Sequence, residues 1–134
     1  MTRTMTAVCL AACLATPALS QDADPGQTEY MIACAGCHGE SAKGDGPIAG
    51  LIEIETPDLT GLAQRAGGTF PYEQIVLVVD GRNEIRAHGS EMPVWGDRYF
   101  VSAMVSDSLD PQQGDMVARG RVLALANYLS SIQQ

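Results

Sequence analysis

The stretch Cys34-Ala35-Gly36-Cys37-His38 constrains this chain more than any other, because it sets two thiols one helical turn apart with an imidazole beside the second. Three chemistries use such a pair, and each makes its own demand on the rest of the sequence. Structural zinc takes four ligands. After residue 20 the chain offers only His88 beyond Cys34, Cys37 and His38, and consecutive Cys37 and His38 would strain a tetrahedral site. A dithiol redox pair sits beside a βαβ pattern, and none is visible. Covalent porphyrin attachment uses every element of the spacing. The two thiols add to two vinyl groups, and the neighbouring histidine is held over the iron as proximal ligand.

The N-terminus reads as an export signal. Arg3 precedes an apolar run from about Ala7 to Ala15, then Pro17 and the small residues Ala18-Leu19-Ser20. This pattern predicts a signal peptide over residues 1–20, cleaved to leave a domain of residues 21–134. The run is roughly half of the ~18–20 residues that a membrane span needs. Leu10-Ala11-Ala12-Cys13 resembles a lipobox, and lipidation of Cys13 is the one route by which a membrane association is expected. Cleavage removes Cys9 and Cys13, so no disulfide framework remains.

Seven of the eight basic residues and all sixteen acidic ones lie after residue 20, a net charge near −9. A chain so acidic has no basic stripe to hold a phosphate backbone, which argues against nucleic acid. It suits a soluble, monomeric protein that is steered towards a basic patch on its partner, although solubility alone also accounts for the charge.

Helix signals dominate the remainder. Asp24-Pro25-Gly26-Gln27 and Asp110-Pro111-Gln112-Gln113 each combine an N-cap carboxylate, a proline at the first helical position and a capping-box glutamine. The first helix is expected to run to about Gly36. Gly39 to Gly50 reads as an irregular, glycine-rich segment, and the stretch from Thr56 to Gly68 as a short helix stopped by Gly67 and Gly68. Tyr72, Ile75, Val76 and Val79 share a helical face that Gly81 can end. Val122, Leu125, Leu129 and Ile132 make a face of the last helix. Only 5% of the residues are aromatic, a thin core for so much loop, and a large apolar cofactor would add the missing buried surface.

These motifs together resemble the small, single-haem bacterial cytochromes c of class I, whose attachment site lies near the N-terminus. The likeness spans residues 21–134. Gly26, Tyr30 and Cys34 reproduce the family's glycine, aromatic and first haem cysteine at intervals of four, and Leu125-x-x-Tyr128 resembles its C-terminal helix pair. The resemblance implies an all-α, cytochrome c-like fold. In it the first and last helices cross at Gly26, Tyr30, Leu125 and Tyr128, and short helices and long loops surround one covalent haem c held by Cys34 and Cys37. Gly46-Pro47 is similar to the family loop whose proline carbonyl accepts the hydrogen bond of the proximal imidazole, with an ordinary turn proline as the alternative.

The second axial ligand has five candidates: Met31, Met92, Met104, Met116 and His88. Met31 is too close to the attachment motif. Met104 is expected to pack a short helix and Met116 to pack in the core. Met92 stands in a loop before Pro93, which restricts its backbone, 54 residues beyond His38 (38 to 92). Met92-Pro93-Val94-Trp95-Gly96 also resembles the distal-methionine loop of the family. His88 is the competitor and would lower the potential relative to a thioether. Trp95 is expected against the macrocycle edge or on a propionate, with core packing the alternative. Arg82 and Arg86 offset propionate charge or stay solvated, and Leu59 in Thr56-Pro57-Asp58-Leu59-Thr60 resembles an apolar haem contact. Arg98 to Gly114 is the least family-like part, a long connection that serves docking or is an insertion.

The resemblance implies a periplasmic electron-transfer protein, not an enzyme. Its iron, ligated by His38 and Met92, passes single electrons between redox partners such as a dehydrogenase, an oxidase or a respiratory complex. Two other readings stay open: a haem enzyme or gas sensor with a displaceable distal ligand, and a subunit docked on a periplasmic dehydrogenase or respiratory complex.

Overall fold

The computed structural model describes residues 24–53, 55–82 and 92–134. The expected signal peptide, Cys13, Arg86 and His88 lie outside the described residues.

Asp24 begins the first element by accepting a hydrogen bond from Gly26 N at 2.9 Å. With Pro25 supplying a preset φ, it starts α1, Pro25–Ala33. The expected single helix to Gly36 is instead two. Cys34 takes φ −115°, and after this break α2 resumes over Ala35–His38. Gly39, at φ +79°, ends it. A 3₁₀ turn at Ala49–Leu51 and the short helix α3, Leu62–Arg65, follow. Gly67 and Gly68 stop α3 with φ values of +83° and +98°. The apolar stretch after Pro71 is helix α4, Tyr72–Asp80, capped by Gly81 in the left-handed region.

The connection from Arg98 to Gly114 is mostly helix, in line with the short helix expected around Met104. α5 covers Trp95–Ser106 and buries Gly96, Tyr99 and Ala103. Met104 belongs to this twelve-residue helix and packs on the backbone of Gly114, where an added Cβ would lie 3.1 Å from its sulfur. The last element, α6, runs over Pro111–Ser131, and at its start Asp110 and Gln113 form both halves of a capping box.

α6 is the spine, packed against α1, α4 and α5. Val122, Leu125 and Leu129 are buried along it, each contributing roughly 1.5–3 kcal/mol. Met116, by contrast, is 70% exposed on the outer side of α6 and does not pack in the core.

α1 crosses α6 at Gly26, where a Cβ would meet Ala124 O at 2.1 Å and Tyr128 Cβ at 2.7 Å. Two helix backbones approach this closely only over a residue without a side chain. Tyr30 stacks on Tyr128 one turn later, with ring centroids 5.3 Å apart, and sends its hydroxyl 2.6 Å to Gly39 O. Arg121 adds a bidentate ion pair to Glu29 at 2.7 and 2.8 Å, and its guanidinium lies 4.1 Å over the Tyr99 ring. One α6 side chain thereby ties α1 and α5 together. At the far end of α6, Gln133 bonds Leu59 O and Ala63 N, so the spine also anchors the segment entering α3.

All described secondary structure is helical and all-α, as the sequence implied. Among the described residues no helix is long and apolar enough to cross a membrane.

Candidate functional site

α1, α2, α4 and α6, with the segments at Ile52–Leu59 and Met92–Trp95, enclose a cavity of about 950 Å³, its open mouth included. The break at Cys34 turns Cys34, Cys37 and His38 onto its wall. Leu125 and Leu129 come from α6, Ile75 and Val79 from α4. Among the described residues the lining is overwhelmingly apolar, with Glu55 as its one acidic side chain.

His38 is buried, and its Nδ1 lies 3.1 Å from Pro57 O. A carbonyl can only accept, so in the neutral ring the proton sits on Nδ1 and the lone pair on Nε2. The donor atom for a metal is thereby chosen by the fold, and the hydrogen bond makes it more basic.

Pro57 is not the proline expected. Pro47 lies along the backbone of α2 rather than at the imidazole, because its neighbours are claimed there. Gly46 N donates to Cys37 O and Ile48 N to Gly36 O, both at 3.0 Å. Pro57 reaches His38 because Leu59 N donates to Ala42 O at 2.7 Å, and because Gly44, at φ +80°, lets the Thr56 carbonyl pack against its Cα. Pro47 does not line the cavity.

Arg82 is a second correction. Its guanidinium is occupied by Asp80 at 2.7 and 2.8 Å and by Asp115 at 2.7 Å, and it is not on the cavity wall. Two carboxylates within reach neutralise it, so it offers no charge to a cofactor. Leu59, Trp95 and Met92 do line the cavity, joined by Pro93. Trp95 also stacks on Tyr99 at 5.8 Å and carries Arg98 5.4 Å above its ring. Met31 is 41% exposed and Met104 faces Gly114; neither lines the cavity.

The rival readings of the cysteine pair find no support. In the polypeptide itself burial, then the neighbouring Cys37, pushes the Cys34 thiol up to about 12. A dithiol redox pair needs the opposite, a lowered value that supplies thiolate near neutrality. Among the described residues no group of three or more His, Cys, Asp and Glu is placed to hold a metal ion.

Two thiols and an imidazole on the wall of one apolar cavity are the donor set that a covalently held porphyrin requires. The fold and site therefore define an all-α, haem-binding class. The family model for cytochrome c matches residues 23–133, and the chain belongs to that family. Its cofactor is haem c, bound covalently, one per chain as is typical of the family. No match to a curated protein or to a solved structure reaches significance.

Sequence reasoning missed Pro57 as the partner of His38, and it missed Ile75 and Val79 as cavity wall. The second was within reach, because both residues lie on the named face of α4. The first rests on contacts between distant segments and carries no local signal.

Proposed function

We propose that this protein is a class I, single-haem electron carrier of the periplasm, with His38 and Met92 as the two axial ligands. The observation that carries the reading is that Met92 lines the same cavity as Cys34, Cys37 and His38. The haem supplies a one-electron iron couple, and the protein's part is to hold both ligands in both oxidation states. Cys34 and Cys37 fix the macrocycle. Pro57 fixes the tautomer and orientation of His38. Pro93 restricts the backbone of Met92, and the apolar wall keeps water from the iron.

The N-terminal run of residues 7–15 and the small residues before Gln21 support export. The net charge near −9 supports a redox partner with a basic docking surface. Among the described residues nothing on the cavity wall resembles an acid–base dyad, which favours electron transfer over catalysis.

The test is Met92→Ala in protein matured with haem. Loss of the far-red band of the oxidised form, a fall in potential and carbon monoxide binding to the reduced form are expected. Spectra like those of the unaltered protein would place the ligand elsewhere.

A further inference from the structure

Asp80, Gly81 and Arg82 pack directly on Val94 and Gly96, so the chain that leaves α4 returns to the same point two residues after Met92. Gly81 closes one side of the contact. At φ +67° it turns the chain out of α4, and a Cβ on it would lie 3.3 Å from Val94 Cγ1. Gly96 closes the other. It is buried in the first turn of α5, and a Cβ there would lie 2.5 Å from both Arg82 Nε and Asp80 Oδ1. The charged pair lies flat on the α5 backbone and leaves no room for a side chain.

Arg82 then binds this junction to the spine. Nε and Nη2 take both oxygens of Asp80 at 2.7 and 2.8 Å, while Nη1 takes Asp115 Oδ1 of α6 at 2.7 Å. Side-chain exposures of 22% for Arg82 and 17% for Asp80 leave these bonds only partly screened by water. Asp115 is steadied in turn by Arg119 at 2.7 Å. A planar, five-donor guanidinium can serve two carboxylates while lying on a backbone; a lysine ammonium cannot do all three.

We propose that Arg82, gripping Asp80 and Asp115 over Gly96, is a positioning residue that keeps Met92 on the iron. The proposal rests on Met92 being the axial ligand. A thioether bond to iron is weak, and its retention depends on the effective concentration at which the chain presents the sulfur. Fixing residues 80–82 against residues 94–96 removes loop-closure freedom from the ligand-bearing segment, and so disfavours the detached state. Severing one charge-assisted contact of this kind alters such an equilibrium by about tenfold.

The experiment is imidazole titration of the oxidised holoprotein, followed in the visible spectrum. Apparent affinity for an added ligand scales with the fraction of molecules whose methionine is detached. Arg82→Gln is expected to bind imidazole about tenfold more tightly than the unaltered protein. Arg82→Lys is expected to fall between the two. Met92→Ala sets the ceiling, and Arg82→Gln added to it should change nothing. Arg121→Gln, which breaks the pair with Glu29 and the contact on Tyr99 but none of the bonds at this junction, separates a positioning role from general loosening and should raise the affinity less than Arg82→Gln does.

If Arg82→Gln does not fold, Asp115→Asn severs only the link to α6 and should raise the affinity by a smaller factor. Unaltered affinity in whichever of these folds, or an equal rise in Arg121→Gln, would overturn the proposal. A failure of the underlying reading looks different: Met92→Ala itself would then bind imidazole no better than the unaltered protein.

Discussion

His38 Nδ1 and the carbonyl oxygen of Pro57 stand 3.1 Å apart, and this contact selects which imidazole nitrogen can serve as donor to iron. It depends on Gly44. That residue sits at φ +80°, and a Cβ on it would come within 2.1 Å of Thr56 O. Gly44→Ala should therefore push Thr56 and Pro57 away from the imidazole. A loss of about 2 kcal/mol or more is expected in denaturant titration of the holoprotein. Without the bond His38 is a weaker donor, the ferric state loses support, and the potential should rise. A stable variant with an unaltered potential would count against this contact.

The crossing of α1 and α6 has no slack at Gly26. With Ala124 O at 2.1 Å from a built Cβ and Tyr128 Cβ at 2.7 Å, Gly26→Ala must separate the helices or shift α1 along its axis. A destabilisation of about 3 kcal/mol is expected, read from denaturant midpoints at unaltered slope. Because Cys34 ends α1, the same variant should also retain less covalent haem.

Acid sensitivity is expected at the junction of α4 and α5. The side-chain hydrogen bond from Arg82 holds the Asp80 carboxyl below the usual carboxylate range, against the opposing effect of burial. A carboxyl lowered in the folded state stabilises fully above its unfolded value of about 4 and loses that contribution as the pH falls through its lower folded value. Asp80→Asn should flatten the decline in stability below about pH 4 and shift the curve little in shape above it. An acid limb unaltered in this variant would show that other carboxylates set it.

Much of this was legible in the sequence. Cys34, Cys37 and His38 were singled out by spacing and do share one cavity wall, and α4 and α6 showed their inner faces by periodicity. The choice of Pro57 over Pro47 was not legible, since both prolines follow turn residues and only the backbone bonds from Ala42 and Cys37 decide which carbonyl meets the imidazole. The commitment of Arg82 was equally hidden: Asp80 is close in sequence, but Asp115 arrives from the first turns of α6. The short helix expected around Met104 proved to span residues 95–106, and its full length was hidden because Tyr99 and Met104 gain their packing partners only when α6 lies beside them.

The acidic surface makes a kinetic prediction. With a net charge near −9 after residue 20, electron transfer to a basic partner protein should slow as salt rises from about 0.01 to 0.15 M, where the screening length falls from about 30 to 8 Å. Stopped-flow rates independent of salt would reduce the charge to a solubility device.

The central claim, an electron carrier closed by His38 and Met92, is tested most directly by the visible spectrum of the haem-matured protein, oxidised, reduced, and reduced under carbon monoxide. The account predicts a weak far-red band in the oxidised form and no response to carbon monoxide. A carbon monoxide shift in the unaltered protein would contradict it, and would mean an iron open to small molecules.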